Sequence, residues 1–236
     1  MKVLVIPDVH LKPWIFDQAF EIMENTDCEL AVCLGDLVDD WRRGSDTGLY
    51  EETLDKAIAF AKRYPDSLWC YGNHDLAYLW DQYDHPGYSE EAAGTVVSMF
   101  DRLQDTLNAP ENMAIIHRVD NVLFSHAGLV KEFVDEWCGY IGDDLDAIIE
   151  TINDFGEGQL REGISPVWAR PQATEMDLNL YPEGMLQVVG HTPVPSIQFN
   201  KNLLSTDTFS TYSDGSRYGN EDLCWVDTVT GEWGIL

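Results

Sequence analysis

The sequence predicts an α/β fold in which a two-sheet β-sandwich is flanked by helices. Short apolar runs alternate with helical patterns over residues 3–107, and further apolar runs, separated by turn residues, occupy residues 186–236. The first pattern is typical of strands joined by helices, and the second of strands joined by turns. Since 44% of the 236 residues are hydrophobic, the chain can bury one large core, and we expect a single domain over residues 1–236.

The first half of the chain carries the alternation of strands and helices. The apolar runs that predict strands lie at residues 3–6, 30–34 and 68–71. Apolar side chains at helical spacing predict helices just after Pro13, over residues 54–63 and over residues 90–107. In sheets of this kind, ligands bind beyond the carboxyl ends of the strands, so the turns after the apolar runs are the expected place for a site.

The second half begins with two more predicted strands, at residues 113–117 and 121–125. Helical patterns resume at residues 130–137 and 145–152, and a polar segment over residues 167–183 is predicted to be a loop lying over the site. Residues 186–189 form another apolar strand. The tail is predicted to supply antiparallel strands that complete the second sheet, at residues 203–204, 223–226 and 233–236.

The charge of the protein argues against nucleic acid as a partner. The formal net charge is −28, from 42 acidic and 14 basic residues. Proteins bind phosphate backbones mainly through clustered lysine and arginine, which this sequence lacks. The acidic residues are typical of a well-solvated surface, and adaptation to a salty cytoplasm is the less favoured alternative.

The apolar segments and the cysteines suggest a reducing, aqueous compartment. No stretch approaches the roughly 18 consecutive apolar residues of a membrane span, and the start of the chain leads directly into a strand instead of a signal peptide. The five cysteines are scattered along the chain and lack the spacing of a zinc site, so we expect reduced core residues. A cytoplasmic location without a membrane partner follows as an expectation.

Metal-type side chains follow five of the predicted apolar strands. They are Asp8 and His10, Asp36, Asn73 and His74, His126, and His191. A lone buried histidine is usually a hydrogen-bonded core residue, but core histidines have no reason to collect at strand ends. Polar groups at such positions destabilise the fold unless metal or substrate satisfies them, so the pattern predicts a metal site. His85 and His117 lie outside this pattern and are interpreted as structural or surface residues.

The same residues lie in blocks that resemble those of the calcineurin-like metallophosphoesterases, and especially the Ser/Thr phosphoprotein phosphatase branch in its short bacterial and phage members. The blocks occur in the family order, as Pro7-Asp8-Val9-His10-Leu11, Gly35-Asp36-Leu37-Val38-Asp39, Gly72-Asn73-His74-Asp75, Ser125-His126-Ala127-Gly128 and Gly190-His191-Thr192. The resemblance covers nearly the whole chain. Pro193 stands where many relatives carry a further histidine, which fits the phosphoprotein phosphatases better than the nuclease-like branches.

The resemblance implies a site for two divalent metal ions, with manganese favoured and iron, zinc or cobalt as alternatives. It assigns Asp8 and His10 to the first ion, Asp36 to both ions, and Asn73, His126 and His191 to the second. These ligand types are chemically reasonable, because a carboxylate can share its oxygens between two cations while imidazole and amide groups add no negative charge. Such a pair of metals lowers the pKa of a bridging water toward about 7 for in-line attack on phosphorus.

A general acid is also implied. The leaving oxygen needs a proton, and the resemblance gives this role to His74, held by the carboxylate of Asp39. Asp75 is the alternative partner for His74. We favour Asp39, because neighbouring side chains along an extended chain rarely face each other.

Phosphate-binding arginines complete the implied site, because a guanidinium group matches two phosphate oxygens at once. Arg170, in Trp168-Ala169-Arg170, resembles one arginine of the family. The other would be Arg42 or Arg43, since the insertion of Asp40-Trp41 breaks the alignment there. The alternative for Arg42 and Arg43 is an ion pair on the acidic surface.

These residues together predict a metal-dependent phosphomonoesterase that acts on phosphoserine or phosphothreonine proteins or on a small phosphoester. One alternative uses the same metal ligands to hydrolyse a nucleotide or dinucleotide polyphosphate or another phosphodiester. A non-catalytic scaffold is the other alternative, but a scaffold has no need to keep the complete ligand set and the acid. Residues 137–182 are expected to line the pocket and decide between the enzymatic alternatives.

Overall fold

The chain folds into two β-sheets packed face to face, with helices on both outer faces, as the sequence predicts. The computed structural model describes residues 1–173 and 178–236. Its strands are β1 Lys2–Ile6, β2 Leu30–Cys33, β3 Leu68–Cys70, β4 Met113–Ala114, β5 Ile116–Val119, β6 Val122–Ser125, β7 Leu186–Val189, β8 Gln198–Asn200, β9 Leu203–Ser205, β10 Cys224–Asp227 and β11 Trp233–Ile235. Its helices are α1 Trp14–Asn25, α2 Thr47–Arg63, α3 Asn73–Leu79, α4 Ala93–Thr106, α5 Lys131–Trp137, α6 Leu145–Asn153 and α7 Glu157–Leu160.

The two sheets each contain a parallel block. In the first sheet the strand order is β11-β10-β1-β2-β3-β4, and β1 to β4 run parallel to one another. In the second sheet the order is β5-β6-β7-β9-β8, and β6, β7 and β9 run parallel. Because the carboxyl ends of parallel strands meet at one edge, each sheet gathers its strand-end residues in one place.

The interior between the sheets is filled by alternate side chains of the central strands. Val3 and Val5 of β1 point inward, while Leu4 between them points to the helices outside. Phe124 of β6 and Val188 of β7 meet them from the second sheet. Each fully buried side chain of this size contributes roughly 1.5–3 kcal/mol to folding, so this layer holds the two parallel blocks together.

Helices cover both outer faces of the sandwich. On the first sheet, Phe16 of α1 stacks on Trp69 of β3 with ring centroids 5.9 Å apart, and Phe60 of α2 packs edge-on against the same tryptophan at 6.4 Å. On the second sheet, the isoleucines of α6 pack with Leu123 of β6. The helices therefore shield strands that carry apolar side chains on both faces.

The structure corrects three predictions about the elements. Residues 113–117 are not one strand, because the chain passes from β4 in the first sheet to β5 in the second. The tail does not complete the second sheet with antiparallel strands, since β10 pairs with β1 and β9 runs parallel to β7. Helix α3, which begins at Asn73, was not predicted. Apolar runs show that strands exist but not which neighbours they pair with.

No helix within residues 1–173 and 178–236 is both long enough and apolar enough to cross a bilayer.

Candidate active site

The predicted metal-type residues meet at one end of the sandwich. Asp8 follows β1, Asp36 follows β2 and Asn73 follows β3, all at the carboxyl edge of the first sheet. His126 and His191 follow β6 and β7 at the matching edge of the second sheet. Residues far apart in the chain are thus placed together by the packing of two parallel blocks.

A first group of side chains forms around the carboxylates of the first sheet. The Nε2 atom of His10 lies 3.6 Å from Oδ2 of Asp36 and 3.9 Å from Oδ2 of Asp8. The other ring nitrogen, Nδ1, is 2.8 Å from the backbone oxygen of Asp39. A carbonyl oxygen only accepts, so Nδ1 carries the proton and Nε2 keeps its lone pair for the group.

A second group forms around His126, which is fully buried. Its Nε2 atom lies 3.3 Å from Oδ2 of Asp36, 2.9 Å from Oδ1 of Asn73 and 3.1 Å from Nδ1 of His191. Its Nδ1 atom donates to the backbone oxygen of Leu34 at 2.9 Å. This bond orients the ring so that the free nitrogen faces the group, as carbonyl oxygens do for metal-binding histidines.

Both groups fit divalent cations, and they share Asp36. Ligand atoms of Asp8, His10 and Asp36 lie within 4.8 Å of one another, and so do those of Asp36, His126 and His191. Oxygen and nitrogen donors of this kind suit manganese, iron, zinc or cobalt. The assignment of each ligand to a particular ion stays a prediction.

Burial and neighbouring charges shift the pKa values inside the cluster. Burial raises the pKa of Asp8 well above its ordinary value, and the nearby Asp207 carboxylate adds to this effect. Burial acts to lower the pKa of His126, but the carboxylates of Asp36 and Asp8 raise it to about 10. A cation bound between these groups would replace the proton in balancing the buried negative charge.

Uncommon backbone conformations occur at the site. Left-handed φ angles occur at several non-glycine residues here, among them His10 (44°), Asp36 (48°), Asp39 (64°) and His191 (62°). Such conformations are costly and persist where the surrounding structure holds them in place. Two glycines allow the close packing, because a Cβ atom at Gly72 would clash with the carboxylate of Asp36 and one at Gly190 with that of Asp8.

Helix α3 presents Asn73 and His74 from its first turn. The carboxylate of Asp75 accepts hydrogen bonds from the backbone N–H groups of Gly72 (3.0 Å), Asp36 (2.8 Å) and Leu37 (2.8 Å). Asp75 therefore ties the start of α3 to the turn that follows β2. It is occupied there as a structural carboxylate and is not the partner of His74.

His74 is paired with Asp39. The Nδ1 atom of His74 lies 2.8 Å from Oδ2 of Asp39, and the backbone N–H of His74 donates to Oδ1 of Asp36 at 2.9 Å. Burial acts to lower the pKa of His74, but the carboxylates of Asp36 and Asp39 outweigh it and raise the pKa. The imidazole is therefore held in a position and a charge state suited to donating a proton.

A pocket of about 590 Å³ opens over the cluster. Its lining includes His10, Asp36 and His191 of the cluster and the aromatic side chains of Trp41, Tyr88 and Trp168. The prediction that residues 167–183 lie over the site agrees with the position of Trp168, whereas residues 174–177 of that segment lie outside the described residues.

The predicted phosphate-binding arginines lie in different places. Arg170 lines the pocket, and its Nη1 atom donates to Oγ1 of Thr192 at 2.9 Å and to the backbone oxygen of His191 at 3.3 Å. Arg42 also lines the pocket. Arg43 instead lies on the surface, 3.6 Å from a carboxylate oxygen of Asp46, which matches the surface ion pair considered as its alternative.

Sequence reasoning did not place His85 at the site. His85 is buried, lines the pocket and packs edge-on against His74 with ring centroids 4.5 Å apart. Its Nε2 atom is 3.2 Å from Nδ2 of Asn73, which turns Oδ1 of that amide toward His126. Because His85 follows a helix and not an apolar strand, the pattern of polar residues after apolar strands did not include it.

His117 is the other histidine that lies outside the predicted pattern. It is buried, and its Nε2 atom bonds the backbone oxygen of Trp69 at 3.0 Å.

Asp207 was also missed, because the parallel pairing of the strand before it was not predicted. It is fully buried two residues after β9, and it accepts hydrogen bonds from the backbone and the hydroxyl of Ser210 at 3.2 and 2.9 Å. Burial raises its pKa although the nearby His10 opposes the shift. Since β9 runs parallel to β7, the carboxyl end of β9 faces the same edge of the sheet. Asp207 would therefore have counted among the polar residues at strand ends if the pairing of the tail had been predicted correctly.

Loss of Arg170 is expected to weaken substrate binding. Hydrogen bonds to charged groups contribute about 1.5–3 kcal/mol, so Arg170→Ala should raise KM for a phosphomonoester by about 10- to 100-fold. Arg102→Ala, which removes an exposed ion pair with Asp55, is the matched control and should leave KM unchanged. Steady-state kinetics with p-nitrophenyl phosphate provide the measurement, and equal KM values for the two variants would contradict the role.

A sandwich that joins aspartate, histidine and asparagine side chains at its strand ends is the architecture of a metal-dependent phosphoesterase. The chain belongs to the calcineurin-like phosphoesterase family, whose model matches residues 1–213. Membership of this family classes the chain among the phosphoester hydrolases. Members of this family bind divalent metal ions in a dinuclear site.

Solved structures share the fold at low sequence identity. A cold-active protein-tyrosine phosphatase of a psychrophilic Shewanella species is 17% identical, with a TM-score of 0.58 over 100% of this chain and 80% of that chain. A protein serine/threonine phosphatase from Saccharomyces cerevisiae is 14% identical, with a TM-score of 0.60 over 96% of this chain and 72% of that chain. Identities this low show the fold alone. No curated protein matches the sequence.

Proposed function

We propose that the protein is a metal-dependent phosphomonoesterase that hydrolyses phosphoserine or phosphothreonine in proteins. The observation that carries the proposal is the contact of 2.8 Å between Nδ1 of His74 and Oδ2 of Asp39, because an imidazole held by a carboxylate in this way is suited to donate a proton. An alkoxide such as that of serine is a poor leaving group and needs this proton. The shared fold of a tyrosine phosphatase and a serine/threonine phosphatase does not choose between the leaving groups.

The residues would act as follows. Two divalent cations, with manganese as the favoured metal, would be held by Asp8, His10, Asp36, Asn73, His126 and His191. When bound, these cations would supply positive charge and an activated water. Arg170 and Arg42 would bind the phosphate oxygens, while Asp39 would hold His74 by its Nδ1–H. As water adds to phosphorus and the P–O bond breaks, His74 would give its Nε2 proton to the departing oxygen.

A second candidate function is supported by the pocket walls. Trp41, Tyr88 and Trp168 line the cavity around the ligand cluster, and aromatic side chains of this kind can stack on a nucleobase. A nucleotide or dinucleotide polyphosphate hydrolase would use the same ligands. The two candidates differ in the group attached to the phosphate, so a comparison of substrates separates them.

A substrate panel with and without metal tests the proposal. Phosphoserine and phosphotyrosine peptides, p-nitrophenyl phosphate, its bis-ester and diadenosine tetraphosphate would be assayed with Mn²⁺ and after chelation. We expect the monoesters to have the highest kcat/KM, and we expect the chelator to abolish hydrolysis until Mn²⁺ is restored. Preference for the dinucleotide would favour the second candidate, and no metal-dependent hydrolysis of any member would favour a non-catalytic scaffold.

A further inference from the structure

Asp39 uses its two carboxylate oxygens on different sides. Oδ2 contacts Nδ1 of His74 at 2.8 Å, whereas Oδ1 accepts hydrogen bonds from the hydroxyl groups of Tyr50 at 2.7 Å and Tyr78 at 2.5 Å. All three residues that meet at Oδ1 are almost completely buried. The carboxylate is therefore held by two phenols on the side that faces away from the histidine.

The tyrosines come from two different helices. Tyr50 lies in the first turn of α2, and Tyr78 lies in α3, one helical turn after His74. Side chains four residues apart lie on the same face of a helix, so α3 carries both the histidine and one phenol that holds its carboxylate. The hydroxyl of Tyr78 in turn accepts a hydrogen bond from the backbone N–H of Ser89 at 2.8 Å.

These hydroxyl groups remain donors. Burial raises the pKa of both phenols, and the charge of Asp39 raises it further, so both keep their protons. A carboxylate oxygen buried without donors would be poorly solvated, and its side chain would be free to rotate away from the histidine. Asp39 also has a left-handed φ angle, which makes its position dependent on its neighbours.

We propose that Tyr50 and Tyr78 are positioning residues for proton transfer: they fix Asp39 so that its Oδ2 atom orients His74 and leaves the Nε2–H of His74 for the leaving group. This inference rests on the proposed function, in which His74 is the general acid. Neither tyrosine belongs to the described residues that line the pocket, so neither is expected to contact substrate. Their effect should reach the reaction only through Asp39 and His74.

The test compares two substrates that differ in their need for a proton. Tyr50→Phe and Tyr78→Phe would be assayed with saturating Mn²⁺ on a phosphoserine peptide and on p-nitrophenyl phosphate. We expect each variant to lower kcat for the peptide by about 10-fold, the scale of an orienting outer contact, with KM unchanged. The kcat for p-nitrophenyl phosphate should change less than about 2-fold, because a nitrophenolate leaves without protonation.

Controls separate positioning from general damage. Tyr64→Phe removes a hydroxyl from a tyrosine that packs on Phe20 and Phe60 away from the site, and it should leave both rates unchanged. In an Asp39→Asn background, Tyr78→Phe should have no further effect on kcat, because the two substitutions act on one unit. Two independent tyrosine variants keep the test valid if one of them folds poorly.

The remaining outcomes overturn one proposal or the other. Equal losses on both substrates would show that the tyrosines act only on the fold, and unchanged kcat for the peptide in both tyrosine variants would show that they do not position Asp39. His74→Asn is assayed alongside. If His74→Asn lowers kcat and the tyrosine variants do not, only the positioning role is wrong. If His74→Asn has no effect, the general acid of the proposed function is wrong as well.

Discussion

Asp36→Asn is expected to abolish the binding of at least one metal ion and to lower kcat/KM by at least about 10³-fold, because the carboxylate that both ligand groups share loses its charge. The asparagine keeps the size of the side chain and an oxygen for the backbone N–H of His74. The loss should therefore come from the ligand set and not from the fold. Burial acts to raise the pKa of Asp36, but His126 and His74 lower it well below its ordinary value, so the wild-type ligand is fully charged.

Elemental analysis of purified protein measures the metal content, and far-ultraviolet circular dichroism checks the fold. Asp17→Asn is a suitable control, since Asp17 is an exposed carboxylate on α1 that pairs with Lys56. That control should keep the metal content and the activity of the wild type. An Asp36→Asn protein that still binds two metal ions with wild-type affinity would contradict the shared-ligand assignment.

The metal-type residues that the sequence predicted all follow one rule. Asp8, Asp36 and Asn73 each follow a buried apolar run, and the parallel pairing of β1 with β2 and of β2 with β3 brings their ends to one edge. Because a run of apolar residues and the polar residue after it are local features, the sequence alone shows both. The convergence at the edge then follows from the α/β pattern.

The parts that the sequence did not predict depend on pairing and packing. Asp207 could be found only from the parallel pairing of β9 with β7, which joins residues across a loop and has no local signal. His85 reaches the site through a turn after α3, a helix that was itself unpredicted. The choice between Arg42 and Arg43 depends on the path of an inserted loop. Each of these positions depends on tertiary structure, which local residue patterns do not predict.

The two tyrosines at Asp39 show the same limit at a finer scale. Neither Tyr50 nor Tyr78 lies in a predicted helix or in one of the sequence blocks, and both side chains are part of the core. Their hydroxyl groups gain a function only because α2 and α3 pack beside the turn that carries Asp39. Core aromatic residues with a polar tip can therefore contribute to a site without lying in it.

His74→Asn is expected to lower kcat for a phosphoserine peptide by about 10² to 10⁴-fold, the usual contribution of a general acid. The substitution removes the imidazole that lies 2.8 Å from Asp39, while the backbone N–H that bonds Asp36 is retained. Metal content should therefore stay at the wild-type level. The loss should be much smaller for p-nitrophenyl phosphate, whose leaving group does not need the proton.

The pH dependence gives a second measure of the same role. His74 has a raised pKa, since the carboxylates of Asp36 and Asp39 outweigh the effect of burial. A general acid works in its protonated form, so wild-type kcat should fall as the pH rises through that pKa. This alkaline decline should be absent from His74→Asn, whose side chain does not titrate.

His117→Asn is the matched control, because His117 is a buried histidine that bonds the backbone oxygen of Trp69 away from the site. It should lower the unfolding temperature but keep kcat, metal content and the alkaline decline. If His74→Asn kept full activity on the phosphoserine peptide in excess Mn²⁺, another group would have to supply the proton. A loss of activity that accompanies a loss of metal would instead show that His74 supports the neighbouring ligand Asn73.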